Sequence, residues 1–212
     1  MIILGIDPGT AALGYGLVER TGPRLRAIDY GVITTSAKLP LPERLEAIYL
    51  AVTDLIELHD PAIVGVERLF FTKNVQTAFA VGQARGVVLL AAAMHDLEIR
   101  EATPNEVKVA TAGHGSAAKE QVQRMVQAIL GLAELPTPDD AADALAIAIC
   151  VANRERSVSR IPIGALDRSA IKPVATEATP YEKAVREALR RERLGVGPNE
   201  QSTRVPKSKT AS

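Results

Sequence analysis

The run Ile2-Ile3-Leu4-Gly5-Ile6-Asp7-Pro8-Gly9 decides how the rest of the chain is read. Its apolar residues, mostly β-branched, stop at an aspartate and a Pro-Gly turn, which predicts a buried central strand. A carboxylate at the end of such a strand is partly desolvated and costly unless something positive meets it. The arrangement recurs in Ala62-Ile63-Val64-Gly65-Val66-Glu67. Two more acids, Asp140 and Asp143, open an apolar helix at i, i+3 spacing and so share one helix face. Two strand ends and one helix start can bring these four acids to one metal site.

Outward from the first strand, Gly14–Glu19 and Leu25–Ile33 read as two further strands around the turn Thr21-Gly22-Pro23, making an antiparallel meander. Leu41, Leu45, Ile48, Tyr49, Val52, Leu55 and Ile56 recur at helical spacing and cross over to the Glu67 strand, a parallel neighbour. A long Ala-rich helix is expected over about 74 to 95. Val75, Ala78, Phe79, Gly82, Gly86, Leu89 and Leu90 mark a stripe on it that faces either the core or a second subunit. A fifth strand at 97–102, a short helix near Lys108, the loop Gly113-His114-Gly115-Ser116, and helices at about 117–131 and 140–154 follow. The fold class is α/β, with a five-stranded mixed sheet flanked by helices.

Composition agrees with one folded domain and an appendage. A chain of 212 residues, 47% hydrophobic and 24% charged, can bury a full core. No apolar stretch reaches the roughly 18 residues of a membrane span and no basic segment precedes the first strand, so a cytoplasmic location is expected. The single cysteine, Cys150, lies in an apolar helix and excludes an internal disulfide. The formal net charge is zero but is unevenly spread: residues 1–153 carry 12 Lys and Arg against 18 Asp and Glu, and residues 154–212 carry 13 against 7. A domain at 1–155 is therefore expected to carry a basic, largely disordered tail at 156–212, suited either to phosphate backbones or to solubility. Within it, Thr179-Pro180-Tyr181-Glu182 has capping-box spacing, and a short helix is plausible at 180–194.

Each acid also has a plain structural reading. Asp7-Pro8-Gly9 is a common turn, Glu67 is an acceptable solvated strand end, and Asp139, Asp140 or Asp143 can cap a helix or favour its dipole. One shared site explains all of them together. Oxygen ligands without His or Cys at ligand spacing suit Mg²⁺, with Mn²⁺ as a substitute, and two such ions about 4 Å apart serve phosphodiester hydrolysis. Crowded carboxylates repel one another, so the site is expected to be incomplete without metal. Lys119 opens a helix behind a glycine-bearing loop, where free amides favour phosphate. Phe70 and Phe71, two of only 3 Phe, follow the Glu67 strand; an exposed ring there would stack on unpaired bases, and a buried one would pack under the long helix.

The opening Gly5–Thr10, Val66-Glu67-Arg68-Leu69-Phe70-Phe71, Lys73-Asn74, Gly82–Gly86, Val107-Lys108, Gly113–Lys119 and Asp140–Ala146 resemble, in order and spacing over residues 1 to about 153, the RuvC family of Holliday-junction resolvases. The resemblance implies a ribonuclease-H-like fold and a homodimer that resolves four-way junction DNA by paired symmetric nicks, leaving 5′-phosphate and 3′-hydroxyl ends. It implies metal-binding roles for Asp7, Glu67, Asp140 and Asp143 and catalytic roles for Lys108 and Lys119 near the scissile phosphate. It further implies DNA contacts by Phe70, Lys73, Asn74, Arg85, His114 and Ser116, with Arg85 alternatively an ion-pair residue, and partnership with the branch-migration proteins RuvA and RuvB. Two other readings remain at this point. An actin-like kinase or ATPase also begins with a strand and an Asp-x-Gly-x-Thr loop, but needs a duplicated domain for which a basic tail cannot substitute. A junction-binding protein that no longer cuts would not need all four acids.

Overall fold

The computed structural model describes residues 1–68 and 75–154, with residues 75–77 described by backbone alone. The expected positions Phe70, Lys73 and Asn74, the tail from 156 and the short helix at 180–194 lie outside the described residues. Among the described residues the strands are β1 (Ile2–Asp7), β2 (Ala12–Thr21), β3 (Arg24–Thr34), β4 (Ile63–Glu67) and β5 (Glu98–Ala102). The helices are α1 (Leu41–His59), α2 (Val75–Met94), α3 (Pro104–Ala112), α4 (Lys119–Leu130) and α5 (Asp139–Arg154). The sheet order is β3-β2-β1-β4-β5, with β1, β2 and β3 antiparallel and β4 and β5 parallel to β1 in turn. This is the five-stranded mixed sheet that the pattern of runs predicts.

Alternation along β1 sends Leu4 and Ile6 to one side of the sheet and Ile3, Gly5 and Asp7 to the other. Leu4 and Ile6 join Leu13, Leu17, Val64 and Val66 in an apolar layer under α1 and α2, to which α1 contributes Ile48, Val52 and Ile56 at four-residue spacing. All six strand residues are fully buried, and each such side chain contributes about 1.5–3 kcal/mol of transfer free energy. The opposite layer is made by α3, α4 and α5 against Ile3, Val18 and Ile63.

On that second face the glycines set the distance. Gly5 pairs with Gly16 of β2 and with Gly65 of β4, so three glycines form one row across the sheet. A Cβ on Gly5 would lie 2.2 Å from the Ala144 carbonyl oxygen, and one on Gly16 would lie 2.8 Å from the Leu145 amide nitrogen. Only a strand without side chains there lets α5 lie directly on the sheet. Cys150 is buried in this layer, as its apolar neighbours predict.

The packing of α2 bears on the stripe expected to face either the core or a second subunit. The residues it buries are Ala84, Val88, Ala91 and Ala92, whereas Phe79 is 69% and Leu90 55% exposed and nothing lies within 4 Å of a Cβ on Gly86. Phe79, Gly86 and Leu90 of the expected stripe therefore face away from the core, while Leu89 packs against it. The helix is apolar around most of its circumference, so periodicity alone does not select the side that packs.

Candidate metal centre

The strand register places the first two acids. Ile6 pairs with Val66 in the parallel β1 and β4 ladder, so Asp7 and Glu67 are the next residues on adjacent strands, at the same end. Each lies two residues beyond a glycine of the row under α5, and period-two alternation puts both on the α5 face. Asp7 also pairs with Gly14 of β2, and a Cβ on Gly14 would lie 2.0 Å from the Asp140 carbonyl oxygen. The first turn of α5 thus rests on the residue opposite Asp7. That turn is closed by the Pro138 carbonyl, which accepts from the Ala141 and Ala142 amides at 3.0 and 3.3 Å.

Asp7, Glu67 and Asp143 line one cleft of about 260 Å³ with Lys108, Lys119, Pro104, Val107, Val122 and Ile147. Asp140 is absent from that lining but lies close enough for its charge to act on Asp7. Burial, then Glu67, Asp143 and Asp140 in that order, raise the Asp7 carboxyl from 3.8 to about 7, with Lys119 opposing. Burial and then Asp143 raise Glu67. The cost of these carboxylates is the desolvation and like-charge repulsion expected for acids gathered in one partly buried cleft.

Lys119 opposes that repulsion, and Lys108 lines the same cleft. Lys119 opens α4 and places its Nζ 2.9 Å from Asp143 Oδ2 and 3.4 Å from Asp139 Oδ2. Desolvation alone would lower the Lys119 ammonium, but its bonds and attraction to Asp143 and Asp139 outweigh it and hold the group above its ordinary value. The residue before it, Ala118, offers no side-chain cap; its carbonyl takes the Gln121 and Val122 amides, and the amides of Lys119 and Glu120 are left to an anion. Lys108 reaches the cleft from α3, whose start is fixed by a capping box. Glu106 N donates to Thr103 Oγ1 at 3.2 Å, and Thr103 N donates to Glu106 Oε2 at 2.7 Å. Arg154 at the end of α5 pairs with Glu106 and donates from Nη1 to the Glu101 carbonyl at 2.9 Å. These contacts tie α3 to both α5 and β5.

As they stand, no three His, Cys, Asp or Glu side chains among the described residues are close enough to grip one ion. The donor set nevertheless fits a hard divalent cation: carboxylate oxygens only, partly desolvated, around one cleft with an ammonium against one of them. Of the expected DNA-contacting residues, His114 and Ser116 are exposed on the loop before α4. There His114 Nδ1 lies 3.1 Å from Ser116 Oγ, and Gln121 Nε2 lies 3.2 Å from His114 Nε2. Arg85 is placed differently from the phosphate contact expected of it. Its side chain is 20% exposed and ion-paired with Glu101, which Arg68 also meets at 3.3 Å. The ion-pair alternative is the arrangement present. Sequence reasoning missed the Thr103–Glu106 box and the link from Asp139 to Lys119. The first was readable as T-x-x-E with proline at the first helical position; the second needs the packing of α4 on α5.

The family model described as crossover junction endodeoxyribonuclease RuvC matches residues 3–151 of the chain. A protein of that name from Desulfitobacterium hafniense is 55% identical over 161 residues, covering 76% of this chain and 98% of the relative. One from Moorella thermoacetica is 59% identical over 153 residues, covering 72% and 92%. The solved structure of T. thermophilus RuvC in complex with Holliday junction substrate superposes with a TM-score of 0.71 at 41% identity, covering 74% of this chain and 95% of that one.

Proposed function

Because this chain belongs to the RuvC family of crossover junction endodeoxyribonucleases, we propose that it cuts four-way junction DNA by paired symmetric nicks, using the cleft between β1, β4 and α5. The observation that carries this reading is that one cleft gathers acids from two strand ends and a helix start with a lysine from each of two further helices. Asp7, Glu67, Asp140 and Asp143 would hold two Mg²⁺ ions per subunit, or Mn²⁺, which supply Lewis acidity for activating water and for taking up charge on the departing 3′ oxygen. Products carry 5′-phosphate and 3′-hydroxyl ends, ready for ligation.

The chain's own groups do the rest. Lys108 and Lys119 bring ammonium charge to the non-bridging oxygens of the scissile phosphate, where negative charge builds in the transition state. The uncapped start of α4, with His114 and Ser116 before it, receives the phosphate backbone. Phe70 stacks on unpaired bases at the junction centre, with Lys73 and Asn74 beside it on the backbone. Arg85 is assigned to its ion pair with Glu101, holding α2 against the edge strand β5. Two nicks across a roughly two-fold junction need two active sites, and the exposed face of α2 with Phe79, Leu90 and Met94 is the surface assigned to the homodimer. The same proposal includes work beside RuvA and RuvB in the cytoplasm; no described helix is long and apolar enough to cross a membrane.

The test separates binding from cutting. In Ca²⁺ the protein is expected to bind a synthetic four-way junction without cleaving it, and in Mg²⁺ to nick opposed strands symmetrically. Asp7→Asn is expected to bind and not cut. Normal cleavage by that variant would refute the mechanism, and failure of the wild type to prefer a junction over linear duplex would refute the substrate.

A further inference from the structure

The geometry points to Asp139 as a positioning residue that shares Lys119 with Asp143, so that the lysine covers Asp143 before a cation arrives and rests on Asp139 afterwards. This rests on the metal-centre reading above and adds a residue and an order of events to it. Asp139 is not one of the four acids. It precedes Asp143 by one helical turn on α5, is 64% exposed at the outer rim, and its Oδ2 lies 3.4 Å from Lys119 Nζ. The same Nζ is 2.9 Å from Asp143 Oδ2, an oxygen assigned to metal. One ammonium therefore bridges a carboxylate inside the cleft and one outside it.

A divalent cation on Asp143 repels an ammonium held on the same carboxylate and weakens its hold there. The cation carries the larger charge and takes the carboxylate. Lys119 is half exposed on a flexible four-carbon stem, and can swing without moving α4. Asp139 decides where it goes: the displaced ammonium keeps one partner, at the mouth of the cleft, where a phosphate enters. Without Asp139 the lysine's acidic partner among the described residues is Asp143 alone, and a cation must displace it into solvent. Lys119 is thereby both a placeholder for the metal and a phosphate-binding group, used in that sequence.

Mn²⁺ binding to the full-length, EDTA-treated protein without DNA, read as loss of the free-ion electron paramagnetic resonance signal, tests this independently of cleavage. Removing the competitor in Lys119→Ala is expected to tighten binding about fivefold, the scale of a partly exposed ion pair. Asp139→Asn is expected to weaken binding about two- to threefold in the wild-type background and to have no effect in the Lys119→Ala background. Equal weakening in both backgrounds would mean that Asp139 acts only as a distant negative charge, and would overturn the positioning role. Unchanged binding in Lys119→Ala would overturn the placeholder role. Asp143→Asn separates these failures from that of the metal reading, since Mn²⁺ binding undiminished by that change removes the metal centre itself.

Discussion

Replacing Asp7 by asparagine is expected to stabilise the metal-free protein while abolishing its chemistry. The side chain keeps its shape and loses the charge that burial, Glu67, Asp143 and Asp140 oppose. Folding moves the carboxyl from its ordinary 3.8 to about 7. Each unit of that displacement corresponds to about 1.4 kcal/mol, so the ionised Asp7 costs the fold at most about 4 kcal/mol. The sign follows from proton counts. Below pH 3.8 both states hold the proton and the group is neutral to stability. Between 3.8 and about 7 the unfolded chain releases it and the folded chain does not, so stability falls as pH rises, and above about 7 the penalty is complete. Urea unfolding in EDTA at pH 8, 5.5 and 4 measures it. Asp7→Asn is expected to exceed the wild type by up to about 4 kcal/mol at pH 8, by about half as much at pH 5.5, and by little at pH 4. Saturating Mg²⁺ at pH 8 should raise the wild type and leave the variant nearly unmoved. An asparagine variant no more stable than the wild type at pH 8 in EDTA would refute the claim that this acid is held against its own electrostatics.

Gly5→Ala puts a methyl group against the Ala144 carbonyl and the Ala148 amide, backbone atoms that cannot rotate away, and is expected to cost about 1–3 kcal/mol and to depress cleavage more than junction binding; thermal unfolding and a parallel binding assay check it. Thr103→Ala removes the acceptor of the Glu106 amide and should cost about 1 kcal/mol in urea unfolding, with Thr103→Ser restoring most of it. Phe79→Asp places a charge on the exposed apolar face of α2 and should shift sedimentation from dimer to monomer without changing the far-ultraviolet spectrum; an unchanged dimer would assign the contact elsewhere. Truncation after residue 156 should leave cleavage at saturating protein intact and weaken junction affinity mainly at low salt, flattening its salt dependence.

The acids were legible because a buried strand that ends in a carboxylate is unusual on energetic grounds alone, and because strand order follows from where helical spacing interrupts the strands. Asp7 and Glu67 needed only that. Lys108 was not legible from its own surroundings; a lone lysine on a short helix is ordinary until the fold turns it into a cleft. The alternating Gly14 and Gly16 of β2, the first opposite Asp7 and the second opposite Gly5 and in line with Gly65, did carry a signal: glycine repeated on one face of central strands marks the close approach of another backbone. The face of α2 was not readable, since alanine and leucine surround that helix and the choice of side belongs to the sheet beneath it. For Arg85 the choice between a phosphate contact and an ion pair was open in the sequence for a related reason. Its partner Glu101 lies on a strand 16 residues later, a proximity that only the tertiary structure creates.

Direct contact between α5 and the sheet has a consequence for the behaviour of the site on heating. Side-chain rotamers are the first thing to loosen in a warming interior, and spacings that depend on them blur before the fold is lost. Between α5 and Gly5, Gly14 and Gly16 there are few rotamers to loosen, because main-chain atoms form much of the contact. The separation of the strand-borne and helix-borne acids should hold up to the temperature at which α5 leaves the sheet, so that cutting ends in the same cooperative step as the fold.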